Sequence, residues 1–543
     1  MIVGEAPGVS EEQKGYPFVG SSGDELTKML HEAGIARTEC FLTNVCKYRP
    51  FNNEIWRFFE DAKSPNKGAF RRPGPLIKEG LEELHKEIIN VKPNVIIACG
   101  NLAFWALLNR PSAKSGISDW RGSELYISER LATMEQPLGH KAVVIPIYHP
   151  AAILRQWAWR NTTVHDLRRR VNKYIEKPEI QVPNYHFEIR PTYEQVMEIL
   201  GQLLRNCSSS ATSGTRLSVD IETRQGHLAC VGIGWSETEA LCIPFLCVER
   251  QEGYWRAEEE TAILLRLQDL LCHPKARVVG QNFLYDAQYF AYHFGFVPNV
   301  QDDTMFMQHV AYAGTPKGLD YLSSVYCTFH QFWKHEGKEW DKHTPEEQLW
   351  AYNCKDAVIT YEVAEVLDGI LDKLNLRKQY QFQMELWHHV LPMMLRGVSI
   401  DKSARAELAM ELANALMERE HSLQTICGHP LNPRSPKQMR ALFYDDLGLP
   451  KQYTRKRNAD GTRGVTLDND ALETLARKEP LLRDFIRCIA EYRSLGVFLS
   501  TFVQARLGPD GRMRCYFNPA GTETYRFSSS EDAFGSGTNL QNI

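Results

Sequence analysis

Leu217-Ser-Val-Asp-Ile-Glu-Thr223 alternates apolar and acidic side chains, with Asp220 and Glu222 two residues apart. On a strand this spacing puts both carboxylates on one face and Val219 with Ile221 on the other. A strand that is half core and half paired acid offers oxygen ligands from two carboxylates, which suits a hard divalent ion such as Mg²⁺. The same alternation also describes a solvated strand face, so the choice between the two rests on the sequence around it.

Working outward, a helix near Tyr193 to Leu204 and a small polar loop, Cys207 to Thr215, come before this stretch. Leu228 to Trp235 and Leu241 to Phe245 follow it as two further strands, which predicts a meander whose first strand carries the two acids. Val278-Val-Gly280 is a short buried run that leads into Gln281-Asn-Phe-Leu-Tyr-Asp286 at the start of an amphipathic helix. Tyr352-Asn-Cys-Lys-Asp356 lies in a helical pattern running through Val366, and a tyrosine and an aspartate four apart share one helix face.

Together these pieces resemble the proofreading 3′-5′ exonuclease domain of family A DNA polymerases, a ribonuclease-H-like domain with four acids and a tyrosine. The matching positions are Asp220, Glu222, Asp286, Tyr352 and Asp356, with Asn282 ahead of Asp286. Asp303-Thr304 and Gly318-Leu-Asp-Tyr-Leu322 match secondary features of that domain. The resemblance implies two Mg²⁺ ions, with Mn²⁺ as a substitute, held by Asp220, Glu222, Asp286 and Asp356 for phosphodiester hydrolysis. It also implies that Tyr352 orients the attacking water and that Asn282 lies along the DNA. Taken alone, Tyr352 would be a core aromatic.

With 543 residues the chain is too long for one core, and about three domains are expected. No apolar run approaches the roughly 20 residues of a membrane span, and no secretion signal opens the chain. Thirteen scattered cysteines without a Cys-x-x-Cys read as buried thiols in a reducing compartment. The net charge of −4 gives no global basic signal, so nucleic-acid binding has to rest on local motifs.

Toward the N-terminus, strand-like runs (Cys40 to Val45, Asn94 to Cys99, Ala142 to Ile147) alternate with helical patterns (Gly23 to Ala33, Pro75 to Asn90, Leu102 to Leu108), which predicts a parallel α/β sheet. Gly4-Glu-Ala-Pro-Gly8, Tyr16-Pro-Phe-Val-Gly20, Leu42-Thr-Asn-Val45 with Lys47 and Arg49-Pro50, Trp120-Arg-Gly122 and Tyr148-His-Pro150 then occur in the order seen in uracil-DNA glycosylases. The closest likeness is to the iron-sulfur-containing type. It implies that Phe18 stacks on a flipped base, Asn44 reads its edge, His149 stabilises the departing anion, and Glu5 or Glu11 orients the water. Tyr48 stands where the family motif has a cysteine and Cys46 is two positions off, so no iron-sulfur cluster is expected. Alone, His149 before Pro150 reads as a capped loop histidine. Leu167-Arg-Arg-Arg170 reads as a solvated helix end, with phosphate contact as its alternative. Residues 173–191 read as a linker.

Beyond Leu374 long helices are expected (Gln379 to Leu395, Ser403 to Ile426, Asp468 to Lys478, Leu481 to Leu507) around a polar interlude from Gly428 to Arg463. Arg434, Lys437, Arg440, Arg455, Lys456 and Arg457 crowd that interlude and favour phosphate contact. Arg396-Gly-Val-Ser-Ile-Asp401, Asn432-Pro-Arg-Ser-Pro-Lys-Gln438, Glu491-Tyr-Arg493, Thr524-Tyr-Arg-Phe-Ser-Ser529 and Asn539-Leu-Gln-Asn-Ile543 resemble the thumb and first palm segment of family A polymerases. The resemblance implies DNA contacts from Arg434, Lys437, Arg526, Gln541 and Asn542. Tyr525 and Phe527 depart from the family motif.

The expected fold is α/β multidomain. Residues 1–172 form a parallel-sheet uracil-DNA-glycosylase-like domain, 192–374 a ribonuclease-H-like exonuclease domain, and 375–543 a helical thumb with a partial palm. The expected function is that of the N-terminal part of a DNA polymerase acting in replication on primer-template and single-stranded 3′ ends, in a bacterial cytoplasm or a phage-infected cell. The family's polymerase aspartates lie beyond these residues, so no nucleotide incorporation is expected of these residues alone; the remainder would belong either to a longer chain or to a second polypeptide. Two alternatives stand beside this: a repair enzyme excising uracil, and a non-catalytic DNA-binding subunit of a split polymerase.

Overall fold

The computed structural model describes residues 1–60, 72–110, 116–209, 214–250, 252–338, 344–457 and 463–542. The side chains of Lys456, Arg457 and Asn542 lie outside the described residues. Two compact units divide the chain, Met1–Met384 and Glu385–Ile543.

The first unit holds two sheets. Strands β1 (Ile2–Gly4), β2 (Leu42–Asn44), β3 (Val95–Cys99), β4 (Leu125–Tyr126) and β5 (Val143–Ile147) form one, in the order β2-β1-β3-β5-β4. All its pairings are parallel except the short β4 edge, an antiparallel addition that the sequence did not predict. Both β3 and β5 are buried along their whole length, as parallel strands covered on both faces must be.

The second sheet runs β11-β10-β7-β8-β9-β6, comprising β6 (His186–Glu188), β7 (Thr215–Arg224), β8 (His227–Gly234), β9 (Glu239–Pro244), β10 (Ala276–Gly280) and β11 (Val300–Asp303). Strands β7, β8 and β9 form the expected antiparallel meander, while β10 joins β7 in parallel. Within the stretch expected as a linker, β6 pairs with β9, so ordered structure of this sheet begins before residue 192. The helix Glu346–Lys373 packs across β7, β8 and β9 and presents Tyr352 and Asp356 to the sheet.

In Leu167-Arg-Arg-Arg170 only Arg168 is exposed; Arg169 and Arg170 turn inward. Arg170 is 1% exposed and pairs with Glu124 at 2.8 Å. Its guanidinium also donates to the carbonyls of Ser324, Cys327 and Thr328 at 2.9–3.0 Å, and Arg169 donates to those of Val325, Tyr326 and Cys327. These carbonyls are those of the last turn of the helix Leu319–Tyr326 and of the two residues after it, a C-terminal end that calls for donors. A charge run that looks solvated in sequence is thus the seam between the two sheet-bearing halves of this unit.

The second unit is built on the helices Lys402–Cys427, Asn469–Lys478 and Arg483–Val497, with a core of Leu423, Met439, Phe443, Leu472, Leu475 and Ile489. The polar interlude is more regular than expected, with a short helix Pro436–Arg440 and a hairpin of Gln452–Arg457 against Arg463–Thr466. All thirteen cysteines are free thiols, and Cys272 is exposed, contrary to the expectation of burial throughout. Among the described residues no helix is long and apolar enough to cross a membrane.

Candidate active sites

On β7, Leu217, Val219 and Ile221 point into the core while Asp220 and Glu222 are half-buried on the opposite face. A register irregularity between Glu222 and Thr223 interrupts the pairing with β8 just beyond the second acid, and it resumes shifted at Thr223 with Leu228. Asp356, 2% exposed, comes in from the helix Glu346–Lys373. Carboxylate oxygens of Asp220, Glu222 and Asp356 lie within 4.8 Å of one another, the only such His, Cys, Asp or Glu group among the described residues. Asp286 stands beside this triad rather than in it. It accepts the Ile221 amide at 3.1 Å, and burial together with the charges of Asp220 and Glu222 raises its pKa well above the carboxylate range.

Side chains that the sequence reading did not single out complete the site. Asn353 donates to the Asp220 side chain at 2.8 Å and to its carbonyl at 3.2 Å. Trp333 Nε1 donates to Asp356 at 2.6 Å. Lys334 Nζ donates to the other Asp356 oxygen and, at 3.0 Å, to the Tyr352 hydroxyl. Nothing in the linear pattern marks Trp333 or Lys334, which precede Asp356 by more than twenty residues. Asn353, next to Tyr352, could have been found from the helix face alone.

Gly232 allows the helix this close. A Cβ at that position would meet Asn353 Oδ1 at 2.5 Å. Gly232→Ala is therefore expected to push Asn353 off Asp220 and lower nuclease activity by about tenfold or more, the usual scale for losing an outer hydrogen bond to a metal ligand. A primer-shortening assay at saturating divalent ion checks this.

The electrostatics fit a divalent cation. Burial and the charge of Asp356 push Asp220 up to about 7. Glu222 is raised well above the carboxylate range by burial and then by Asp220 and Asp356. Lys334 is the cation lodged against the cluster. Burial pulls its pKa down, but Asp356, Tyr352 and Asp220 outweigh that and leave it raised. One ammonium does not balance four gathered carboxylates, and hard oxygen donors of this kind favour a divalent ion.

The first sheet gathers a second constellation at its strand ends. A Cβ on Gly4 would lie 2.3 Å from Asn44 Oδ1 and 2.6 Å from the Phe18 ring, so Gly4 keeps those two side chains together. Phe18, with φ of 56°, stacks on His149 with ring centroids 6.2 Å apart. His149 caps the helix Pro150–Arg155, its Nδ1 accepting the Ala151 amide at 3.1 Å. The proton of the neutral ring therefore sits on Nε2. Burial and then Arg155 lower its pKa to about 4, so it is neutral near pH 7. Burial raises Glu5 to about 7. Glu11, the other candidate for orienting water, accepts the amides of Gly8, Val19 and Gly20 at 3.0–3.1 Å. It is a clasp for the loop.

In the second unit Arg434 is exposed but lies across Gly496, where a Cβ would meet Arg434 Nη2 at 1.6 Å. Lys437, Arg526 and Gln541 are exposed. Asn282, in the first unit, has φ of 58° and donates its amide to Asp303 at 3.1 Å.

The Uracil DNA glycosylase superfamily model matches residues 1–173, the 3′-5′ exonuclease model residues 192–372, and the DNA polymerase family A model residues 402–543. The type-4 uracil-DNA glycosylase of Archaeoglobus fulgidus is 34% identical over 170 residues, covering 31% of this chain and 73% of that protein. The chain belongs to the uracil-DNA glycosylases through its first domain, and it is DNA polymerase I-like beyond that. DNA polymerase I of Synechocystis sp. is 27% identical over 387 residues, 67% of this chain and 36% of that protein. The Bacillus subtilis enzyme is 29% identical over 218 residues, 36% of this chain and 23% of its own length. The chain thus spans about a third or less of these polymerase relatives. The POL domain of Pol1 from M. smegmatis, solved with DNA primer-template and dNTP, aligns over 66% of this chain and 55% of its own, at 19% identity and a TM-score of 0.47. The three segments follow the order that the motifs predicted.

Proposed function

We propose that this chain is the exonuclease-bearing part of a DNA polymerase acting in replication, removing mispaired nucleotides from 3′ ends with Mg²⁺, or with Mn²⁺ in its place. The observation that carries this reading is the meeting of Asp220, Glu222 and Asp356 within 4.8 Å, with Tyr352 one helical turn from Asp356. Asp220, Glu222, Asp286 and Asp356 would hold the ions, which when bound supply charge neutralisation at the phosphodiester and a nucleophile at neutral pH. The Tyr352 hydroxyl, fixed by Lys334, orients the attacking water. Asn353, Trp333 and Lys334 keep the carboxylates aimed. DNA is the partner, and a bacterial cytoplasm or phage-infected cell the setting. The test is shortening of a 5′-labelled primer with a mispaired 3′ end: stepwise loss with Mg²⁺ and none with chelator supports the reading, and an unchanged primer in both overturns it.

The gathering of Gly4, Phe18, Asn44 and His149 supports a second activity, uracil excision. Glu5 must be ionised to take a proton from water, so uracil release is expected to rise with pH to a plateau above about 7. His149 adds no limb between pH 5 and 9, because its pKa is lowered to about 4. Initial rates on a uracil-containing oligonucleotide in chelator check the profile, and Glu5→Gln should abolish the rise.

A further inference from the structure

The two residues that hold Asp356 follow directly on a segment built into the other domain. Glu124 donates its amide to the His330 carbonyl at 2.8 Å, and the His330 amide returns to Glu124 Oε1 at 3.2 Å. The Phe332 amide donates to Ser123 Oγ at 3.1 Å. Arg121, bidentate to Asp166 at 2.7–2.8 Å, reaches Ser324 Oγ at 2.9 Å. The Phe332 side chain, 4% exposed, belongs to the apolar core of the glycosylase-like domain. It meets Trp120 edge-on at 5.3 Å, and Trp120 also faces His335 at 5.3 Å. Trp333 comes next, fully buried, with its indole N–H on Asp356; Lys334 then reaches the same carboxylate and Tyr352.

We propose that the glycosylase-like domain is a positioning element of the exonuclease site: it grips residues 328–335, and through Trp333 and Lys334 that strap sets the Asp356 carboxylate. A carboxylate held on two sides by donors of fixed position is pre-aimed at an ion, and outer donors of this kind tune how tightly the ion is held. Trp333 cannot move without dragging Phe332 out of the first domain's core, so the aim of Asp356 depends on contacts that the first domain makes. Ser123, Glu124 and Trp120 act through the strap and touch no reacting atom. Met1–Met384 forming one compact unit accords with this dependence. The proposal rests on the exonuclease reading of the acidic cluster.

The test is Mn²⁺ binding to the full chain, measured by calorimetry without DNA. Trp333→Phe, which keeps the packing and deletes the indole N–H, is expected to weaken Mn²⁺ binding about 10- to 100-fold. Ser123→Ala and Phe332→Leu, which loosen the strap from the glycosylase-like side, should weaken it in the same direction by several-fold, with thermal melts showing the chains folded. Each combined with Trp333→Phe should lose less than the product of the two single losses, since Trp333 carries part of the route and Lys334 the remainder. Rescue of the Phe332→Leu loss by Phe332→Met would also support the proposal. Unchanged Mn²⁺ binding in Ser123→Ala and Phe332→Leu, or multiplicative losses in the double variants, would overturn it while leaving the exonuclease reading intact. Failure of the parent chain to bind Mn²⁺ would overturn both.

Discussion

Replacing Asp220 with alanine is expected to lower 3′-end shortening by about a thousandfold or more. A carboxylate that helps hold the charge at the scissile phosphate supplies several kcal/mol, and about 4 kcal/mol corresponds to that factor. The fold should persist. Asp220 sits on the acidic face of β7 and adds little to the core formed by Leu217, Val219 and Ile221. Burial and the charge of Asp356 already work against its ionisation. Removing it from a crowded set of acids relieves repulsion, so the unfolding midpoint in chelator should hold or rise. Single-turnover shortening and a thermal melt on the same preparation separate the two effects. A variant that shortens single-stranded DNA with Mg²⁺ as fast as the parent would refute the mechanism.

The second large effect concerns the seam. Arg170→Leu is expected to cost about 3–5 kcal/mol, because it leaves Glu124 buried without its main partner and removes one donor from each of three carbonyls. Cys327 and Thr328 keep donors in Arg169 and Lys173, and Lys173 at 2.8 Å and the Tyr174 hydroxyl still reach Glu124, which keeps the loss near the lower end of that range. Urea unfolding of the full chain, followed by tryptophan fluorescence, reads the change. A shift under about 1 kcal/mol would place Arg170 among ordinary surface charges.

The exonuclease-like site was legible where local geometry decides. Asp220 and Glu222 had to share a face once β7 was a strand, and Tyr352 and Asp356 had to share one once their stretch was a helix. What escaped depends on partners distant in the chain. Trp333 and Lys334 follow a loop with no periodicity of its own, and their purpose exists only where Asp356 arrives. Arg169 and Arg170 were misread for the same reason, since a run of arginines looks alike whether it faces water or the carbonyls at a helix end. The hairpin Gln452–Arg457 with Arg463–Thr466 was hidden because its polar residues carry no apolar alternation to announce a buried face.

The strap at residues 328–335 bears on how such a molecule could be divided or recombined. The chain suggests a natural cut in the stretch after Tyr174, where one sheet has ended and the next has yet to begin. A recombination event there would strip the nuclease half of the neighbour its own loop is plugged into, leaving Phe332 stranded in water.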